Sequence, residues 1–224
     1  MDEAARSTPT RIRRASGADL AALRDFFARL SPQTRYLRFF APITPTPAVL
    51  ARLCGGTGGA DTMVATRGGV IIGHAMAVDR AGPLGEAMTE IGVVVTDLWQ
   101  GKGVGSALIR TLIARAQARG VTSLTMDVLH GNQQVLAMIT SHWPTARAGH
   151  SMGCTTVHVP LPPRQQERPP PGPGAHVPAV APAAIRRGNS RPIAVSPAAS
   201  LNHRPCAPVQ MRSLAVAGRL SQGL

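Results

Sequence analysis

The spacing of apolar residues in the first part of the chain predicts helices followed by a β-hairpin. Between Ser16 and Ser31, apolar residues recur at helical spacing behind a Ser-Gly-Ala-Asp start, which predicts an amphipathic helix. The next stretch, 31–40, has Pro at the first helical turn and predicts a second, short helix. In 61–79, two β-rich runs flank Arg-Gly-Gly and predict a hairpin.

Beyond the hairpin, the pattern alternates between strand and helix. Residues 89–97 are nearly all apolar and predict a strand that is buried on both faces. A helical stripe follows this strand and stops at Gly120. The remaining segments predict a strand at 123–129, a helix at 132–143 and a strand at 154–159. Elements in this order predict an α/β fold in which helices cover the faces of a mixed sheet.

The composition changes sharply at Pro162. From this residue onward, prolines recur too often for a helix or a strand, and Glu167 is the one acidic residue against eight arginines. We therefore predict two regions, a folded domain at 10–161 and a disordered Pro/Arg-rich tail at 162–224.

The charge of the chain is strongly positive. Its 24 Lys and Arg residues against 11 Asp and Glu give a formal net charge of +13. Such an excess fits an anionic ligand or nucleic acid, but a composition rich in Arg, Ala, Gly and Pro is also typical of a high-GC genome. Because the tail has no aromatic residues to stack on bases, we do not expect a nucleic-acid partner.

The sequence lacks the signals of a membrane protein, a secreted protein or a metal site. No apolar run approaches the roughly 18 residues of a membrane span, and residues 1–14 lack the apolar stretch of a signal peptide. Cys54, Cys154 and Cys206 are scattered without the paired spacing of a zinc site. We expect a cytoplasmic protein without a metal.

Three glycines, Gly101, Gly103 and Gly105, occupy alternate positions between a predicted strand and the next helix. A helix N-terminus exposes unpaired N–H groups and a partial positive charge, and glycines let an anion approach the backbone closely. This pattern favours a phosphate ligand, although a tight turn that binds nothing would show it too. Lys102 precedes two of the glycines, so the order of a P-loop does not fit, and neither does the spacing of a dinucleotide fingerprint.

The residues around the glycines resemble a known family. Gln100, Gly103 and Gly105 fit [QR]-x-x-G-x-[GA], the acyl-CoA pyrophosphate motif of the GNAT superfamily of N-acyltransferases. Asn132 matches the Asn that opens the next helix of that family, and LSPQTRYLRFF at 30–40 is similar to a segment of the subgroup that contains bacterial protein lysine acetyltransferases. The resemblance spans about residues 10 to 161 and implies a GNAT-like, mostly antiparallel mixed sheet flanked by helices.

The resemblance also implies where acetyl-CoA binds. The pyrophosphate would rest on the backbone amides of 100–106, and the pantetheine arm would pair with the strand at 93–95. Lys102 would lie either beside the phosphates or in solvent, and a Cβ at Gly103 or Gly105 would project toward the phosphate or the sheet. The implied acetyl-CoA contacts are Val93, Val94, Val95, Gln100, Gly101, Lys102, Gly103, Val104, Gly105, Ser106 and Asn132.

Acetyl transfer to an amine also needs a base, because an ammonium has no lone pair. A lysine with a pKa of about 10.4 costs about 4.6 kcal/mol to hold neutral at pH 7, and a general base removes that proton. Glu90 matches the position where the subgroup often carries its catalytic Glu; the alternative is an exposed carboxylate at a strand end. His74, His130 and Asp127 are weaker candidates.

We therefore expect a GNAT-type N-acetyltransferase that moves an acetyl group from acetyl-CoA directly to a primary amine. The segment at 30–40 favours a protein lysine as the acceptor. A small amine, such as an antibiotic or a polyamine, is an alternative acceptor, and a non-catalytic acyl-CoA sensor is an alternative function.

Overall fold

Seven strands form one sheet in the order β1-β2-β3-β4-β5-β7-β6. The computed structural model describes residues 8–55, 59–82, 85–151 and 153–162. In this part of the chain, β4 and β5 run parallel, and every other neighbouring pair is antiparallel. The strands are β1 (Arg11–Arg14), β2 (Ala60–Arg67), β3 (Val70–Ala81), β4 (Ala87–Val95), β5 (Ser123–Leu129), β6 (Arg147–Ser151) and β7 (Cys154–Pro160).

Helices cover both faces of the sheet. Neighbouring strand residues point to opposite faces, and accordingly Val64 packs with the first three helices, whereas Met63 and Ala65 pack with the last two. Each face therefore has its own apolar core. The helices are α1 (Leu20–Ala28), α2 (Pro32–Phe39), α3 (Pro47–Leu53), α4 (Val104–Ala118) and α5 (Gln133–His142).

Local sequence explains the bounds of α2 and α3. Each begins with Pro directly after a hydroxyl residue, Ser31 or Thr46, whose side-chain oxygen accepts a hydrogen bond from the first helical turn. Helix α2 ends at Phe40, which has a left-handed backbone with φ of 58°.

An ion-pair cluster holds the C-terminal end of α4 against the sheet. The buried carboxylate of Asp61 on β2 lies 2.6 Å from Arg115 Nε and 2.9 Å from Arg119 Nη1. Arg119 also pairs with Asp79 of β3 at 2.7 Å. These contacts fix one end of α4, and its other end adjoins the candidate site.

The predicted fold class is confirmed: the sheet is mixed and mostly antiparallel, with flanking helices. The prediction that 89–97 is buried on both faces is wrong in part, because Gly92, Val93 and Val95 of β4 are only half-buried. The sequence pattern missed three elements. Those elements are β1, α3 and β6.

Two further expectations concern the predicted tail and membrane-spanning segments. Of the predicted tail, residues 163–224 lie outside the described residues. No helix in the part of the chain that the structure describes is both long enough and apolar enough to cross a membrane.

Candidate active site

The candidate site begins where β4 separates from β5. The two strands pair at three positions, Met88–Ser123, Thr89–Leu124 and Glu90–Thr125. On its other side, β4 stays paired with β3 as far as Val95. No β5 residue pairs with 91–95, so this edge of β4 presents backbone groups that an extended ligand can pair with.

A cleft opens between the separating strands. Its walls are formed by β4, β5, the N-terminal end of α5 and the C-terminal end of α2. The lining residues are Leu37, Arg38, Phe40, Glu90, Ile91, Gly92, Val93, Met126, Asp127, Val128, Asn132 and Val135. Two carboxylates, Glu90 on β4 and Asp127 on β5, therefore line the cleft, and Asp127 accepts a hydrogen bond from Thr156 Oγ1 at 2.6 Å.

Glu90 is a buried, ion-paired carboxylate. It lies within β4 and is 4% exposed, so the alternative of an exposed strand-end carboxylate is wrong. Arg80 Nε lies 3.3 Å from Glu90 Oε2. Burial lowers the pKa of Arg38 to about 10, and the negative charge of Glu90 opposes that shift. Since a buried carboxylate is costly without compensating charge, the two arginines make this position of Glu90 tenable.

The glycine segment turns sharply into α4. Gly101 and Gly103 have left-handed φ values of 70° and 78°, which favour glycine. The first helical hydrogen bond runs from Ala107 N to Gly103 O at 3.0 Å. The N–H groups of 103–106 therefore have no carbonyl partner within the helix and are available to an anion.

The reasons for these glycines differ from one position to the next. A Cβ at Gly101 or Gly103 would meet no protein atom within 4 Å, so these glycines leave open space beside the helix N-terminus. A Cβ at Gly105 would lie 3.6 Å from Val95 Cγ2, which is an ordinary contact. A Cβ at Gly105 would thus point toward the sheet, as expected, but contact with the sheet alone does not require glycine there.

Two other loop residues, Gln100 and Lys102, make different kinds of contact. The Gln100 side chain bonds other protein groups, since Nε2 donates to Thr34 Oγ1 and to Val95 O, each at 3.1 Å. Lys102 Nζ lies 4.8 Å from the centre of the Trp99 ring, and Arg67 Cζ lies 4.7 Å from it. Positive charge thus gathers beside the glycine loop, and the sequence pattern missed Arg67 and Trp99.

The remaining predicted contacts fall on both ends of the cleft. Val93 lines the cleft, whereas the side chains of Val94 and Val104 are buried in the two cores, so these residues can offer a ligand their backbone only. Ser106 belongs to the first turn of α4. Asn132 precedes α5 and lines the cleft, and its side chain makes no capping hydrogen bond to that helix.

Two of the weaker candidates lie elsewhere. His74 is fully buried, its Nε2 lies 3.0 Å from Leu53 O, and burial lowers its pKa to about 3, which keeps the ring neutral at pH 7. His130 packs its ring against His150 and is not among the cleft-lining residues. Within the described ranges, no group of three or more His, Cys, Asp or Glu side chains is arranged to hold a metal ion.

Comparison with known families gives one match. A model described as the Acetyltransferase (GNAT) family matches residues 25–142, which is more than half of the 224-residue chain. No curated protein is significantly similar to the chain in sequence.

Three solved structures illustrate the similarity of architecture. The GNAT domain of S. lividans PAT has a TM-score of 0.60 and 25% identity, covering 68% of this chain and 90% of that one. Ribosomal-protein-alanine N-acetyltransferase from Brucella melitensis has a TM-score of 0.56, 22% identity and coverage of 67% and 99%. Phosphinothricin acetyltransferase from Sinorhizobium meliloti, in complex with AcCoA, has a TM-score of 0.56, 19% identity and coverage of 73% and 94%. The last two likenesses concern the fold alone.

The residues of the cleft fit acetyl-CoA. The open space beside Gly101 and Gly103 and the free N–H groups at the start of α4 suit a pyrophosphate. The free edge of β4 suits an extended arm with amide groups. The two features are continuous along the chain, because the glycine loop follows β4 directly.

We predict that Gly103→Val weakens acetyl-CoA binding by about tenfold or more, equivalent to about 1.4 kcal/mol. A β-branched side chain strains a left-handed backbone and fills the space beside the helix N-terminus. Calorimetric titration of acetyl-CoA measures the change.

Gly120→Val is the matched control for this change. Gly120 follows the other end of α4, has a φ of 85°, and also has no protein atom near an added Cβ. It should cost similar stability but leave acetyl-CoA affinity intact. Equal affinities in wild type and Gly103→Val would show that this glycine does not cradle a phosphate.

Proposed function

The chain belongs to the acetyltransferase (GNAT) family and is an N-acetyltransferase that uses acetyl-CoA, and from this premise we propose that its acceptor is the lysine side chain of a protein. The proposal includes direct transfer, with Glu90 as the general base. The observation that carries it is the position of Glu90, a buried carboxylate in the cleft at the point where β4 leaves β5.

The ligand contacts proposed for acetyl-CoA divide between the start of α4 and the edge of β4. The N–H groups of 103–106 bind the pyrophosphate, with Lys102 adding charge beside it, and the free edge at 93–95 holds the pantetheine arm. When bound, acetyl-CoA supplies an acetyl group activated as a thioester. Glu90 and Val95 are five residues apart in an extended strand, which corresponds to about 16 Å. The base is therefore well separated from the phosphate end.

Glu90 would accept a proton from the acceptor ammonium, directly or through one water. This leaves a neutral amine whose lone pair attacks the thioester carbonyl, so that the C–N bond forms, the C–S bond breaks and CoA leaves as a thiolate that solvent protonates. General-base assistance is typically worth about 10² to 10⁴ in rate. Arg80 restrains the carboxylate from one side, and the buried Arg38 adds positive charge nearby. These contacts hold Glu90 in one orientation while keeping it at the cleft wall.

Two features of the cleft support a cationic acceptor such as lysine. The C-terminal end of α2, which belongs to the segment similar to the lysine acetyltransferase subgroup, contributes Leu37, Arg38 and Phe40 to one wall. Asp127 on β5 also lines the cleft, is half-buried and has no cation within ion-pair distance among the described residues. Its charge would attract an incoming ammonium.

We predict that Glu90→Gln lowers turnover by about 10² or more while leaving acetyl-CoA affinity nearly unchanged. The amide cannot accept the proton, so the rate should recover partly as the pH rises toward the acceptor pKa of about 10.4 and free amine accumulates. Initial rates from pH 6 to 10 and acetyl-CoA calorimetry measure the two effects.

Glu86→Gln is the matched control, since Glu86 precedes β4 and does not line the cleft. Thermal melting of both variants shows whether the loss of the Arg80 ion pair has unfolded the protein. A folded Glu90→Gln variant with wild-type turnover would remove Glu90 as the base.

The acceptor class is tested by mass spectrometry of a protein mixture incubated with acetyl-CoA and the enzyme. We expect lysine acetylation with wild type that falls with Glu90→Gln, a control that also measures non-enzymatic acetylation. A parallel panel of small amines is followed by release of the CoA thiol. Thiol release with small amines alone would contradict a protein acceptor, and acetyl-CoA binding without release for any amine would indicate a sensor.

A further inference from the structure

The Gln100 side chain is part of a hydrogen-bond network between the glycine loop and α2. Its Nε2 donates to Thr34 Oγ1 on α2 and to Val95 O at the end of β4. Residues at the boundary between β4 and the glycine loop are thus joined directly to α2. The Gln100 amide is engaged by the protein before any phosphate contact is made.

Asp97 completes this network from the same loop. Its carboxylate accepts hydrogen bonds from Ser31 N at 3.1 Å, Ser31 Oγ at 2.7 Å and Thr34 Oγ1 at 2.7 Å. Burial alone would raise the pKa of Asp97, but the hydrogen bonds from Ser31 and Thr34 outweigh it and lower the pKa. The Thr34 hydroxyl therefore donates to Asp97 and accepts from Gln100, and so bridges the two loop residues.

Helix α2 forms one wall of the cleft. It has eight residues, a length that is marginal for an isolated helix, so its order depends on tertiary contacts. The network attaches its N-terminal end to the segment 97–100, and its C-terminal end carries Leu37 and Arg38 into the cleft. The loop that leads into α4 and the acceptor wall are therefore connected through Thr34, which is 7% exposed.

We propose that Thr34, Asp97 and Gln100 are positioning residues that couple the acetyl-CoA loop to α2, so that ligand bound at the loop orders the acceptor wall. The coupling of the two elements rests on the network, and its role in acetyl transfer rests on the proposed function. Coupling between two sites is reciprocal, so acceptor contacts with α2 also favour the ligand-bound loop.

Hydrogen exchange measured by mass spectrometry, with and without acetyl-CoA, tests the coupling without requiring turnover. In wild type, acetyl-CoA should slow exchange in α2 by about fivefold or more, the lower end of typical coupling factors. Thr34→Val keeps the shape of the side chain but loses the hydroxyl. In this variant, acetyl-CoA should still slow hydrogen exchange in the loop but should no longer slow it in α2. Thr34→Ser should restore the response.

Two further variants separate coupling from simple destabilisation of α2. Gln100→Met removes one link between the loop and Thr34 and leaves the Asp97 contacts to Ser31 and Thr34 in place, so exchange in α2 without ligand should match wild type while the response to acetyl-CoA falls in part. Thr46→Val removes the N-cap hydroxyl of α3, which bonds Val49 N rather than the loop. The response of α2 to acetyl-CoA should be that of wild type. A full α2 response in Gln100→Met or Thr34→Val would overturn the proposal, as would no response in wild type.

Steady-state kinetics test whether the Thr34 network affects acetyl transfer. Thr34→Val should lower kcat/KM for the amine by about tenfold and change acetyl-CoA affinity by about twofold at most, since the phosphates are held by backbone groups. An equal loss in kcat/KM for the amine and in acetyl-CoA affinity would contradict the positioning role. If wild type transfers no acetyl group to any amine, the proposed function fails, and the exchange result still decides whether the coupling exists.

Discussion

The separation of β4 from β5 after three residue pairs is the constraint on which the candidate site depends. β3 keeps β4 extended along its whole length, so the separation frees one edge of the strand without disordering it. The cleft forms in the resulting gap, and the glycine loop lies at the end of the same strand. If β5 stayed paired as far as Val95, the backbone groups of 91–95 would be satisfied within the sheet and no ligand could pair with them. The half-buried state of Gly92 and Val93 has the same origin.

The charged side chains of the cleft are better explained by function than by the stability of the fold. Glu90 is buried with Arg80 beside it and the buried Arg38 nearby. Apolar residues of similar volume in place of a buried ion pair are often neutral or stabilising for a fold. A chain with a formal charge of +13 nevertheless places two carboxylates, Glu90 and Asp127, on the walls of this one cleft. Such an arrangement suits a site that must receive a cation and take a proton from it.

Much of the fold was predictable from the sequence because its apolar periodicity is strong where elements are buried. The predicted strand at 123–129 has the bounds of β5, and the stripe from Leu108 to Ala116 lies within α4. The missed elements have weak patterns: β1 contains three arginines in four residues, and β6 reads Arg-Ala-Gly-His-Ser. Local sequence placed Gln100 and Glu90 on the correct elements. It could not show that Gln100 faces Thr34, because that contact joins segments 66 residues apart, or that Arg80 faces Glu90, because that contact depends on the register of β3 against β4.

The central claim is that the gap between β4 and β5 is the acetyl-CoA site. A crystal structure of the protein grown with CoA tests it most directly. The account predicts density for the pyrophosphate at the N–H groups of 103–106 and for the pantetheine arm along 93–95, ending near Glu90. Well-defined CoA density at another surface, with the gap filled by side chains, would contradict it.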